Sequence, residues 1–197
     1  MGGQPVLITR TGWTGELGFE VYTHPGMDHE ALWAHVTAAG ARHGMLDIGL
    51  DGMDIRRIEA AILNNGSDID HTMSAWAAGL GPFVDLGKSD FFGRDALEAM
   101  TDRRTRMHGI VCKAVEPLTG GLVARNDEEV GRITAAGWSP YLERGIAYVR
   151  MARAGDFEPR SVEVMGFDLA MHEATIIDLP FYDREKKIPR GLEVASW

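Results

Sequence analysis

The residues best equipped for chemistry gather near the N-terminus, where Thr11-Gly12-Trp13-Thr14-Gly15-Glu16-Leu17-Gly18 separates two short apolar stretches. Three glycines in seven residues imply a tight turn or bulge at which backbone approaches something closely, because glycine lacks a Cβ and tolerates positive φ. The turn carries an indole, Trp13, and a carboxylate, Glu16; a second carboxylate, Glu20, follows on the next stretch. An aromatic face can stack on a flat ring or fill a core. A strand carboxylate can hold a ligand's donor or face water. Arg57 and Glu59 form a second group. Two apart on a helix, they point to different sides, and Arg57 can meet a ligand's negative tail or make a structural salt bridge.

Other chemistries find no support. The seven histidines are scattered, and none has the His-x-x-x-His spacing with an acidic partner that a zinc site uses, so we expect no metal. Asn64 to Asp70 lacks the ligand register and terminal Glu of a calcium loop and reads as a turn. There is no phosphate-cradling Walker loop, no Gly-x-Gly-x-x-Gly and no Gly-x-Ser-x-Gly. The single cysteine, Cys112, sits in the apolar run Gly109-Ile110-Val111-Cys112 and reads as a buried structural thiol. One cysteine cannot form an internal disulfide, which fits a reducing compartment. A net charge of −9 argues against unspecific binding to nucleic acid or an acidic membrane. No apolar run reaches the roughly 20 residues that cross a bilayer. The opening Met1-Gly2-Gly3-Gln4-Pro5 has no charged n-region, so the expectation is a cytoplasmic protein.

The elements that must position these groups change texture along the chain. Pro5 to Tyr22 predicts a hairpin, with alternation in Phe19-Glu20-Val21-Tyr22. Leu32, Val36 and Ala39 mark an amphipathic helix over Asp28 to Ala41. A second helix is predicted from Asp51 to Leu63, with Ile55, Ile58, Ala61 and Ile62 on its apolar face, and a third from Asp95 to Met100. The basic run Arg103-Arg104-Arg106 marks the expected boundary between a domain over 1–106 and one over 107–197. Beyond it come short strands: His108 to Lys113, Gly121 to Asn126, Gly131 to Ala135, Gly145 to Arg150, Ser161 to Val164 and Ala174 to Leu179. Turn residues such as Pro117, Gly137, Gly155 and Pro159 separate them, which argues for a small antiparallel barrel or sandwich. The fold class is α+β, a partial α+β domain followed by a C-terminal antiparallel β-barrel.

Five blocks in order resemble the glycine-cleavage T-protein (aminomethyltransferase) family and span nearly the whole chain. They are Arg10 to Glu20, Arg57 to Asp70, Ala78-Gly-Leu-Gly81 with Lys88 to Leu97, Trp138-Ser-Pro140, and Leu179-Pro-Phe-Tyr182. The resemblance implies a folate-binding α+β domain ahead of the barrel, tetrahydrofolate as cofactor, and transfer of a one-carbon (aminomethyl or methyl) unit from a small-molecule or lipoyl-carried donor. A pterin offers an edge of ring N–H and amine donors, to which a carboxylate can accept two charge-assisted hydrogen bonds. The family uses a glutamate of this hairpin there, and the matching residue is Glu20. Glu16 can support it or face water, Trp13 occupies an aromatic position beside the folate, and Arg57 can approach the folate tail.

Two departures modify that expectation. Family members usually carry an arginine linked to folate binding four residues before Arg57, where this chain has Met53. That leans toward relatives that demethylate sulfonium or methoxy donors, including the dimethylsulfoniopropionate demethylase type. The family also places its catalytic aspartate in a segment ahead of the hairpin. The resemblance therefore leads us to expect a C-terminal fragment, with no catalytic residue assignable and little turnover alone. Its exposed apolar surface would meet the N-terminal segment or a second copy. A non-catalytic folate-binding module, as in relatives serving iron–sulfur assembly, is the further alternative, although Cys112 lies away from their cysteine motif.

Overall fold

The computed structural model describes residues 1–155, 157–158 and 160–194. Pro159, expected at a turn, and residues 195–197 lie outside the described residues.

The chain opens with two short antiparallel strands, β1 (Leu7–Thr9) and β2 (Glu20–Tyr22), in the register Leu7↔Tyr22 and Thr9↔Glu20. Helix α1 (His29–Ala41) follows, its first turn capped by the Asp28 side chain accepting from the Ala31 N–H. Asp at this position satisfies one of the four N–H groups that a helix start leaves unpaired. The predicted stripe faces inward, with Leu32 buried and Val36 and Ala39 half-buried. Helix α2 (Gly49–Glu59) and the short α3 (Arg94–Ala99) complete the α+β part.

Helix α2 ends earlier than its apolar pattern predicts. Ala61 has φ of 60° and the Ile62 N–H bonds back to the Arg57 carbonyl, so Ala61 and Ile62 form a turn instead of continuing the helix. The cause is tertiary. Ala60 is buried under the glycine-rich hairpin, and its carbonyl accepts from the Lys186 ammonium at 2.5 Å.

From Met107 the chain builds a closed antiparallel barrel in the order β3-β6-β5-β4-β7-β8. Its strands are β3 (Met107–Cys112), β4 (Leu122–Arg125), β5 (Glu128–Ser139), β6 (Arg144–Met151), β7 (Ser161–Met165) and β8 (Met171–Ile177). Closure leaves no free sheet edge. Two strands depart from the prediction. Strand β5 is longer at both ends, because a register shift between Ile133 and Ala135 lets it bend and stay paired with β6. Strand β8 starts at Met171, directly opposite Met165 across a tight turn in which Leu169 has φ of 64°.

The barrel interior is filled by Ile110, Val123, Ile133, Val149, Val164 and Ile176, with Cys112 fully buried among them as expected. A second core lies outside the wall, where Ile58 of α2 packs on Ala135, Ile146 and Tyr148. Strand β6 is therefore buried on both faces, Ala147 and Val149 inward and Ile146 and Tyr148 toward α2, which accounts for its near-continuous apolar run. Gly137 lies under α2: a Cβ on it would come within 2.1 Å of Ile55 Cδ1, the movable end of that side chain, with Cγ1 next at 3.6 Å.

Candidate functional site

The glycine-rich hairpin loop meets α2 where that helix packs on the outside of the barrel wall, and Trp13, Glu16, Arg57 and Glu59 lie at that junction. Glu20 stands on β2, half-buried. Its Oε2 accepts from the Thr11 hydroxyl and, at 3.2 Å, from Tyr22 Oη. No hydrogen bond reaches its Oε1 from the described residues. Two donors on one oxygen fix the carboxylate while its other oxygen stays open as an acceptor.

Glu16 is partly exposed but paired. Its Oε1 accepts from Arg56 Nη2, and Arg56 Nη1 donates to Glu59, a carboxylate with no exposure at all. Glu59 is completed by Ser139 Oγ at 2.5 Å, and the same Oγ accepts from the Leu142 N–H at 2.9 Å. Arg56 also donates to Tyr182 Oη at 3.1 Å and lies about 6 Å from the ring centres of Tyr141 and Tyr182. Burial pushes the Tyr182 phenol up to about 12, against the opposing pull of Arg56.

Arg57 is buried and engaged through Nε and Nη1. Its Nε donates to Asp54 at 2.7 Å and its Nη1 to Asp68 at 2.5 Å and the Ile62 carbonyl at 3.3 Å. Burial works against its charge, but the bonds to Asp54 and the charge of Asp68 outweigh it and hold its pKa above the ordinary value. The Tyr148 hydroxyl donates to the carbonyls of Arg57 and Ile58, and burial drives this phenol far above its usual range. The Arg57 guanidinium also lies over the Trp13 ring, 5.3 Å from its centre. A flat ligand stacking on Trp13 would therefore use the opposite face.

A cavity of about 240 Å³ opens beside the hairpin, bordered by Arg10, Thr11, Gly12, Glu16, Ile62 and Lys186. A larger one of about 430 Å³, with walls including Leu63, Phe83, Met107 and Leu179, adjoins it through Lys186. Glu20 and Trp13 do not line the smaller cavity, although Thr11, the donor to Glu20, does. The structure thus brings Glu16 to a cavity wall, stacks Trp13 against Arg57, and holds Glu20 through Thr11. Among the described residues, no His/Cys/Asp/Glu group is arranged to hold a metal ion, and no helix is long and apolar enough to cross a membrane.

Sequence reasoning missed Arg56, Asp68, Ser139 and Tyr182 as members of these networks. One signal was available: Glu59 falls four residues after Ile55 on the face of α2 that packs on the barrel, where a carboxylate must find partners. The Arg57–Asp68 pair has no periodic signature, because a turn and not a helix brings the two together.

The open oxygen of Glu20 can accept a donor, and the smaller cavity itself is walled by Thr11, Glu16 and Lys186 and not by Glu20 or Trp13. Residues 1–88 match the family described as the GCVT N-terminal domain, and residues 106–183 the glycine cleavage T-protein C-terminal barrel domain. The chain is 36% identical to an aminomethyltransferase of Streptomyces coelicolor over 93% of its own length and 51% of that protein. It is 34% identical to a trimethylamine-oxide aldolase of Ruegeria pomeroyi, over 96% of this chain and 25% of the relative. It thus spans about half the length of the aminomethyltransferases it matches. The crystal structure of the glycine cleavage system aminomethyltransferase T from Bartonella henselae superposes with a TM-score of 0.72 at 23% identity, covering 89% of this chain and 49% of that one, a likeness of fold. With both family domains in consecutive order along its length, the chain belongs to the glycine-cleavage T-protein family.

Proposed function

We propose that the chain forms the hairpin and barrel wall of a tetrahydrofolate site, as the C-terminal part of an enzyme that moves a one-carbon unit from a donor to the folate. The observation that carries this reading is the Glu20 carboxylate, held by Thr11 and Tyr22 through one oxygen and open at the other. That donor set fits a pterin edge, whose N–H groups and amine need a fixed anionic acceptor.

In this reading Glu20 accepts from the pterin, Trp13 offers the face that Arg57 leaves open, and Glu16 stands at the cavity wall. Arg57 backs Trp13 from the covered face, its own charge balanced by Asp54 and Asp68, so it supports the indole and leaves the folate tail to other groups. When bound, tetrahydrofolate would supply the nitrogen that takes the one-carbon unit. The chain's own contribution is to orient and exclude water, and the rate it supports comes from proximity and fixed electrostatics. The donor is an aminomethyl group carried on a lipoyl arm or a small soluble molecule.

A second reading, demethylation of a sulfonium or methoxy donor, is favoured by Met53, half-buried on α2 where the family resemblance calls for an arginine. Titrating tetrahydrofolate into the protein and its Glu20→Gln variant tests the folate site. Assays with lipoyl-carried aminomethyl and with methylated sulfonium donors separate the two chemistries.

A further inference from the structure

Arg56 occupies a position that no consideration of the ligand alone would single out. It projects from α2, yet its guanidinium reaches the hairpin loop at Glu16, its own helix at Glu59 and the segment after β8 at Tyr182. Glu59 in turn is fastened to the β5–β6 turn through Ser139 and the Leu142 N–H. Four separate stretches of chain therefore converge on one planar group whose side chain is only 13% exposed. The planar fork of arginine makes this possible, because it donates in several fixed directions at once while a lysine ammonium acts as a point charge.

The hairpin needs such a hold. Its two strands have three residues each and pair only with each other, and a two-stranded ribbon alone is marginally stable in water. Leu7, Ile8, Phe19, Val21 and Tyr22 are exposed, so little apolar burial anchors it. Among the described residues, the polar and ring ties from the loop to the rest of the molecule are the Glu16–Arg56 ion pair, the Trp13–Arg57 stack and a long Arg10 bond of 3.4 Å to the Pro189 carbonyl. The Trp13–Arg57 stack leads on to Tyr148 of β6 by ring contact and a backbone carbonyl, whereas the Arg56 tie runs through side-chain hydrogen bonds, by way of Glu59 and Ser139, to the end of β5.

We infer that Arg56 is a positioning residue for the folate site: it carries the rigidity of the barrel to the hairpin and so fixes the carboxylate of Glu20. The inference rests on the folate reading for what is positioned, and on the contacts alone for the coupling. Its action is indirect. Glu20 lies on the same ribbon as Glu16, four residues along the chain, and any pivot of the loop re-aims it.

Amide hydrogen exchange on the ligand-free protein, paired with tetrahydrofolate titration, tests both halves. Glu16→Gln cuts the hairpin end of the tie and leaves the buried Arg56–Glu59 pair intact, so folding is preserved; Arg56→Lys retains charge without the fork. Exchange across residues 7–22 should speed up roughly tenfold in Glu16→Gln and less in Arg56→Lys, with β3, β5 and β6 unchanged. The dissociation constant for tetrahydrofolate should rise by a similar factor in the same rank order. Unchanged exchange in the hairpin of both variants would overturn the inference, as would a loosened hairpin with unaltered folate affinity. If exchange responds as expected but the unaltered protein binds no tetrahydrofolate, the coupling stands and the folate reading falls.

Discussion

The guanidinium of Arg57 lies 5.3 Å from the centre of the Trp13 ring while its Nη1 is 2.5 Å from Asp68 Oδ2. One side chain therefore couples the indole of the hairpin to a carboxylate with no exposure. The pair is held against Tyr148, whose hydroxyl caps the carbonyls at the end of α2. The charge that the sequence offered for a ligand is thus already balanced within the fold.

The first prediction follows from that burial. Asp68→Asn removes the charge partner without changing the shape, and leaves Arg57 in a dry site with only Asp54, which is half-exposed, to balance it. Breaking a buried pair from one side costs about 3–5 kcal/mol. Urea unfolding of the two proteins measures it; a difference below about 1 kcal/mol would mean that the pair does not carry the junction.

Gly15 and Gly12 should behave differently although both sit in the same loop. A Cβ on Gly15 would lie 2.3 Å from Ala60 Cβ, and its φ of 72° disfavours any side chain, whereas nothing lies within 4 Å of a Cβ on Gly12. Gly15→Ala should cost about 1–3 kcal/mol, while Gly12→Ala should change stability by about 0.5 kcal/mol or less. Thermal melts of both variants decide between this asymmetry and a loop that adjusts freely.

Alkaline pH should weaken the fold through its buried phenols. Tyr182 and Tyr148 are both raised by burial, so the folded state keeps protons that the unfolded chain releases near pH 10. Their stabilisation is complete below that value and is lost as pH rises. The contribution of Tyr182 disappears by about 12, and that of Tyr148 persists higher. Tyr182→Phe should flatten the fall of the urea midpoint between pH 10 and 12. Parallel curves for variant and parent would contradict this.

How much of this was legible beforehand depended on whether a feature is local. The hairpin, α1 and the barrel strands follow from alternation and helical spacing within single segments, and their order argued the α+β class with a barrel. The end of α2 was not legible, because Ala60 to Ile62 have helical composition. Only their position beneath Gly15 and beside Lys186, 126 residues away, turns them out of the helix. The same holds in the site. Glu16 and Glu20 were visible as carboxylates on a glycine-rich hairpin, but their different partners were not. One is paired with Arg56 of α2, and the other is held by neighbours on its own ribbon. Ser139 was legible as part of a family block and not as the partner of Glu59, since 80 residues separate them.

The claim that Glu20 reads the pterin edge is tested most directly by isothermal titration of tetrahydrofolate into the protein and its Glu20→Gln variant. The substitution keeps the shape but replaces one acceptor oxygen with an amide that turns donors toward the ligand's donors. Binding should weaken by about 2–3 kcal/mol, the scale of a lost charge-assisted hydrogen bond with its partner stranded. Equal affinity in the two proteins would contradict the assignment and move the role to Glu16.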